Sequence, residues 1–167
     1  MASVADVAVK LPPLLQGIDL EKINYNKNVP ILMYHYVGPV EPTFNETRMG
    51  LNVTPENFRA QMKWLHDNGF KTYTLSQYFQ RVANNQSLTK KPVIITFDDG
   101  YKDVYDNAIP IMKEYGQTAT LFIIVDAAGP VYMNWDEIKK VSELGFEIGS
   151  HTLTHPRLTD FSDVALR

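Results

Sequence analysis

From Val29 onward the chain alternates short apolar, β-branched and aromatic runs with amphipathic segments that close on glycine, and this rhythm confines it to an α/β fold. The runs are apolar on both faces, as strands of a parallel sheet must be when helices cover them. The spacing predicts strands over 30–36, 70–73, 92–97, 118–125 and 146–149, with helices over 55–68, 75–84, 103–115 and 135–144. Thr54-Pro55 supplies an N-cap followed by proline at the first helical position, and Asn134 with Glu137 has the spacing of a capping box. Gly69, Gly116 and Gly145 stand where a helix ends in a left-handed residue before the chain enters a strand. Pro110 lies inside the 103–115 segment and predicts a kink or a break there.

Two stretches fall outside the rhythm. Residues 1–28 show no sustained periodicity, contain Pro12-Pro13, and read as an arm or linker. The segment between Gly38 and Val53, punctuated by Pro39, Pro42 and Gly50, reads as a long loop of the functional or mobile kind. The 167 residues make one domain, spanning 29–167. Its five strands are too few to close a common eight-stranded barrel, which needs ~250 residues. The pattern of a new helix starts just as the chain stops at Arg167, so the domain is expected to be incomplete at its C-terminus.

Composition removes several classes. Sixteen Lys and Arg against nineteen Asp and Glu give a net charge of −3, without a basic run longer than Lys90-Lys91, which argues against nucleic acid as the partner. With no cysteine there is no disulfide framework, thiolate zinc site or cysteine nucleophile. The apolar run Leu121–Val125 is far short of the ~20 residues a membrane helix requires. Asp6 and Lys10 interrupt the N-terminal apolar residues, and no basic region precedes them, so this is not an intact signal peptide. A Gly-rich phosphate loop and a G-x-S-x-G elbow are both missing from the sequence.

Chemistry-bearing residues gather at strand exits. Val93-Ile-Ile-Thr-Phe-Asp-Asp-Gly100 places two carboxylates at the end of a buried strand, where parallel α/β folds bind ligands. An Asp-Asp-Gly sequence also serves as a plain solvated turn. Alternation along the strand sends Asp98 and Asp99 to different sides, so they need not share a role. His151 and His155, within Ser150-His-Thr-Leu-Thr-His-Pro156, have the spacing of paired metal ligands and follow another strand exit on the same rim. Two imidazoles and a carboxylate, with positions left for water and substrate, form a catalytic zinc-type set. His35 in Met33-Tyr-His-Tyr36 reaches that rim too. Alone it reads as a packed core histidine; beside the others it is a candidate acid or base. His66, on the 55–68 helix, lacks such neighbours and reads as structural or exposed.

Thr96-Phe-Asp-Asp-Gly100 and Ser150-His-Thr-Leu-Thr-His155 resemble the first two motifs of the polysaccharide deacetylases, carbohydrate esterase family 4. The likeness runs over residues 29–158 and includes the flanks Tyr101-Lys-Asp-Val-Tyr-Asp-Asn-Ala-Ile-Pro110 and Gly145-Phe-Glu-Ile-Gly149. The opening Pro30-Ile-Leu-Met-Tyr-His35 is similar to the branch that deacetylates poly-β-1,6-N-acetylglucosamine in biofilms. The resemblance implies a distorted seven-stranded (β/α) barrel, with Asp98 as catalytic base and His35 as general acid. It also implies that Asp99, His151 and His155 ligate a divalent metal, zinc first and cobalt or nickel as alternatives. The expected activity is removal of N-acetyl groups from a glucosamine polymer outside the cell or at its surface. Peptidoglycan and chitin remain substrates alongside the biofilm polymer, and a non-catalytic glycan-binding domain of the same fold is the alternative. The family's arginine and tryptophan motifs lie downstream of the histidine pair, beyond Arg167. A second copy of the chain, or a C-terminal fragment, is expected over the open sheet edge.

Overall fold

The computed structural model describes residues 29–89, 91–127, 129–160 and 162; the arm read over 1–28 lies outside the described residues. In chain order the elements are β1 (Ile31–Tyr34), β2 (Tyr36–Val37), α1 (Glu46–Leu51), β3 (Asn52–Val53), α2 (Pro55–Asp67), β4 (Lys71–Tyr73), α3 (Leu75–Ala83) and β5 (Pro92–Phe97). A π-helical turn (Val104–Ala108), α4 (Ile109–Glu114), β6 (Thr120–Ile123), α5 (Trp135–Glu143), β7 (Glu147–Ser150) and a 3₁₀ turn (Leu158–Asp160) follow.

β1, β4, β5, β6 and β7 form one parallel sheet with β5 at its centre. The amides of Ile94 and Asp98 donate to Pro30 and Tyr34, which gives one edge of β5 to β1. The opposite edge is divided: β4 pairs with residues 92–94 and β6 with residues 96–97. Among the described residues β1 and β7 each pair on one side, so the sheet is open and the implied barrel is not closed by these strands. The α/β class holds, with seven strands of which two, β2 and β3, make a separate small parallel pair.

The core lies between the sheet and the helices. Phe58, Met62 and Leu65, at helical spacing on α2, are buried against Phe97 and Met112. Tyr34 packs edge-on to Phe58 at 5.1 Å between ring centres. Truncating a residue such as Phe58 to alanine costs about 3–5 kcal/mol in a core of this kind.

Local signals act as the sequence predicts at α2 and α5: Thr54 caps α2 before Pro55, and Asn134 and Glu137 form a reciprocal capping box. Gly69, Gly116 and Gly145 all adopt positive φ. Three readings change. The 30–36 strand breaks at His35 into β1 and β2, and β6 is shorter than 118–125. The 38–53 loop contains α1 and β3. The break predicted at Pro110 is found: Pro110 has no N–H for the Asp106 carbonyl and would crowd it, so the 103–115 segment divides into the π turn, where the Ile109 amide bonds the Val104 carbonyl, and α4.

At the amino ends of β6 and β7, Glu147 accepts from the Ser76 amide (3.1 Å), the Ser76 hydroxyl and the Thr120 hydroxyl (2.8 Å), fastening α3 to the sheet. Burial alone would raise the Glu147 pKa, but the hydrogen bonds from Ser76, Thr120 and Thr74 hold it below the usual carboxylate value.

Candidate active site

The carboxyl ends of β1, β5, β6 and β7 form the rim where the chemistry-bearing residues meet. β5 ends at Phe97, and Asp99 follows in the left-handed region at φ 72°. Asp98 and Asp99 both lie beyond the end of β5, so the left-handed turn at Asp99, and not strand alternation, governs their placement. Gly100, at φ 82°, is required: a Cβ there would come within 3.0 Å of the Ile123 side chain.

The histidines arrive from β7. The His151 amide donates to the Ile123 carbonyl at 2.8 Å, and the amides of Val125 and Asp126 donate to Thr152 and Leu153, tying this loop to the end of β6. The segment is not helical, so the two rings meet by loop geometry, with Thr152 at φ 68° and His155 at φ 54°. Of the four non-glycine residues with positive φ among the described residues, three are thus Asp99, Thr152 and His155. Such conformations cost of order 1–3 kcal/mol each, and here they are concentrated at one place.

The outcome is a compact donor set. Asp99 Oδ1 lies 3.3 Å from His151 Nε2 and 3.6 Å from His155 Nε2, and one ligand atom from each residue falls within 4.8 Å of the others. Asp99 is 8% exposed, and its Oδ1 has no hydrogen-bond partner. A buried carboxylate oxygen without a partner, facing two imidazole nitrogens, fits a divalent cation in chemistry and placement.

Asp98 stands beside this set, half-buried, with its amide bonded to the Tyr34 carbonyl at 3.0 Å. Burial pushes its carboxyl above the ordinary value, while the charges of His151 and His35 pull in the opposite direction. His35 comes next after Tyr34, which is paired with Phe97, so the register sets His35 and Asp98 side by side at adjoining strand ends. All five predicted site residues therefore reach one rim. His66 is exposed, away from this rim, with Asp67 at 3.3 Å and the Tyr115 ring 5.7 Å from its own.

A cleft of about 370 Å³ opens beside Asp99 and His155, with Asp126, Tyr132 and Thr154 also in its lining. Tyr132 was invisible to motif reading, because only the antiparallel bridge between Tyr101 and Tyr132 brings its loop to the rim. Arg48 is a second such residue: it pairs with Asp103 at 3.2 Å and lies over the Tyr36 ring, 3.0 Å from its centre.

These features define a parallel α/β protein with an Asp-His-His set able to hold a metal ion at the carboxyl rim of its sheet. Residues 85–167 match the family model described as polysaccharide deacetylase. YxkH of Bacillus subtilis, named for that family, is 37% identical over 131 residues, covering 78% of this chain and 44% of the relative. The poly-β-1,6-N-acetyl-D-glucosamine N-deacetylase of Staphylococcus epidermidis is 30% identical, covering 65% of this chain and 40% of the relative. Among solved structures, the Streptococcus pyogenes deacetylase PplD in complex with acetate superposes with a TM-score of 0.74 at 29% identity, covering 82% of this chain and 62% of that one. The chain belongs to the polysaccharide deacetylases. It spans less than half the length of the curated relatives it matches.

Proposed function

We propose that this chain carries the metal-binding half of a hydrolase that removes N-acetyl groups from glucosamine units of an extracellular or cell-surface polysaccharide, with poly-β-1,6-N-acetylglucosamine the favoured polymer. The observation that carries this reading is the buried, unpartnered Asp99 Oδ1 facing both histidine Nε2 atoms. Asp99, His151 and His155 would hold the cation, zinc first and cobalt or nickel as substitutes. The chemistry such an ion supplies is polarisation of an acetyl carbonyl and activation of water.

The remaining roles fall to side chains of this protein. Asp98 takes the proton of the attacking water, and its burial makes it a stronger base than an exposed aspartate. His35, beside it, delivers a proton to the departing amine, a poor leaving group until protonated. The relatives named for the biofilm polymer favour that substrate over peptidoglycan or chitin.

Turnover on a panel of acetylated polymers, with zinc, cobalt or nickel added, tests the reading. Release of acetate from poly-β-1,6-N-acetylglucosamine at the highest kcat/KM supports it. Glycan binding without any acetate release would favour the non-catalytic module. β1 pairs on one side only among the described residues, and Ile31 and Met33 on one of its faces are 57% and 60% exposed, which makes β1 the place for a second copy or a further segment of the protein. Sedimentation of the purified chain separates a dimer from a monomer.

A further inference from the structure

We infer, on the deacetylase reading above, that Asn107 is a positioning residue for proton delivery by His35. It fastens the strand end that carries His35 to the turn that follows Asp98 and Asp99.

His35 stands where the first strand breaks, between Tyr34, the last residue of β1, and Tyr36, the first of β2. Upstream the sheet holds it: Tyr34 is in register with Phe97, and its carbonyl accepts from the Asp98 amide at 3.0 Å. Downstream the sheet does not reach, because Tyr36 and Val37 pair with β3 instead. The place of the imidazole against Asp98 therefore depends on what holds residues 36–38.

Those three residues dock in succession on the segment after Asp99. Tyr36 stacks on Tyr101 with 3.9 Å between ring centres. The carbonyl of Val37, a fully buried residue, accepts from Asn107 Nδ2 at 2.7 Å. Gly38 lies so near Asp103 that a Cβ would come within 3.1 Å of Asp103 Oδ2. On the other side, the Gly38 amide donates to Val53 and its carbonyl accepts from Asn52, but residues 39–51 bury no side chain. The π turn is the firmer support, with Val104 and Ala108 at 1% and 0% exposure. Asn107 belongs to that turn and is half-buried, so the widening that Pro110 imposes carries the donor that reaches β2.

An amine is a poor leaving group until a proton arrives, whereas an ester with an acidic alcohol needs none. Misplacing His35 therefore slows amide cleavage and spares such an ester, and a shift of about 1 Å is enough to cost on the order of 10²-fold.

The zinc-loaded chain, Asn107→Ala and Gly38→Ala are compared on a β-1,6-linked N-acetylglucosamine oligomer and on nitrophenyl acetate. Gly38→Ala crowds Asp103 while leaving Asn107 in place, and either variant decides alone if the other does not fold. Both should lose about tenfold or more in kcat on the oligomer, with KM and ester hydrolysis within about twofold of the parent. In NMR spectra the His35 ring signal should shift and broaden, while bound zinc and the ring signals of His151 and His155 stay as in the parent. Unchanged oligomer turnover with an unchanged His35 signal overturns the positioning role and leaves the deacetylase reading standing. Equal losses on oligomer and ester overturn it too, by making Asn107 a support of the fold alone. A parent chain that cleaves no amide overturns the deacetylase reading and this role with it.

Discussion

At the amino end of β7, Glu147 receives hydrogen bonds from the Ser76 amide, the Ser76 hydroxyl and the Thr120 hydroxyl. Just past the carboxyl end of the same strand, His151 and His155 face an Asp99 oxygen that is more deeply buried and receives none. The first cluster is complete as it stands and fastens α3 to the sheet. The second is held open by positive-φ backbone at Asp99, Thr152 and His155. Of these two clusters, the one that fastens the fold has its carboxylate bonded, whereas the one at the rim leaves a carboxylate oxygen free.

The largest effect that would break this comparison is on metal binding. Asp99→Ala, His151→Ala and His155→Ala should each weaken divalent metal by about 100-fold or more, since each removes one of three protein ligands. Metal-free Asp99→Ala should be as stable as the parent chain, because the lost oxygen has no partner. Asp98→Asn should keep the metal and lose turnover. Elemental analysis and chemical denaturation read these outcomes, and metal loss in Asp98→Asn with retention in Asp99→Ala would reverse the two roles.

Glu147→Ala is the opposite experiment. It should cost about 2–4 kcal/mol in urea unfolding, by leaving Ser76 and Thr120 without their acceptor, yet leave metal affinity unchanged. Loss of metal along with stability would join two clusters that are separate here.

A smaller effect is on acid stability. The folded Glu147 pKa lies below its unfolded value, so its contribution is complete above the unfolded carboxylate range, about 4.3. It is lost as pH falls through the folded value. Stability followed downward from about pH 5 should fall less steeply in Glu147→Gln than in the parent chain. Equal slopes would remove Glu147 from the account. The smallest effect belongs to the exposed pair Arg59–Glu114, where Arg59→Gln should leave the urea midpoint of unfolding essentially unchanged.

What the sequence makes legible here is local. The Thr54 and Asn134 caps, the glycines closing three helices and the strand-exit motifs each act within a few residues. The parts it hides depend on distant partners. α1 has no apolar periodicity to reveal it, and its seat is a contact between Arg48 and Asp103, 55 positions apart. The π turn follows from Pro110 together with the surrounding packing, and Asn107 within it donates to the Val37 carbonyl at 2.7 Å. The site residues were readable because each follows a strand. That Asp99 adopts a left-handed conformation just past the strand could not be read from alternation.

β5 has neighbours along both edges, since β4 and β6 divide the edge that β1 does not use. Its amides should therefore be the last to exchange with deuterated solvent, while those of β7, bonded on one side among the described residues, exchange sooner. Asp99 is thereby rooted just past the slowest-exchanging strand and both histidines just past a strand at the margin of the sheet. An excursion that frees the end of β7 would carry both imidazoles away and leave the carboxylate in place. The lifetime of a bound ion would then be set by fraying of one strand, long before the domain as a whole unfolds.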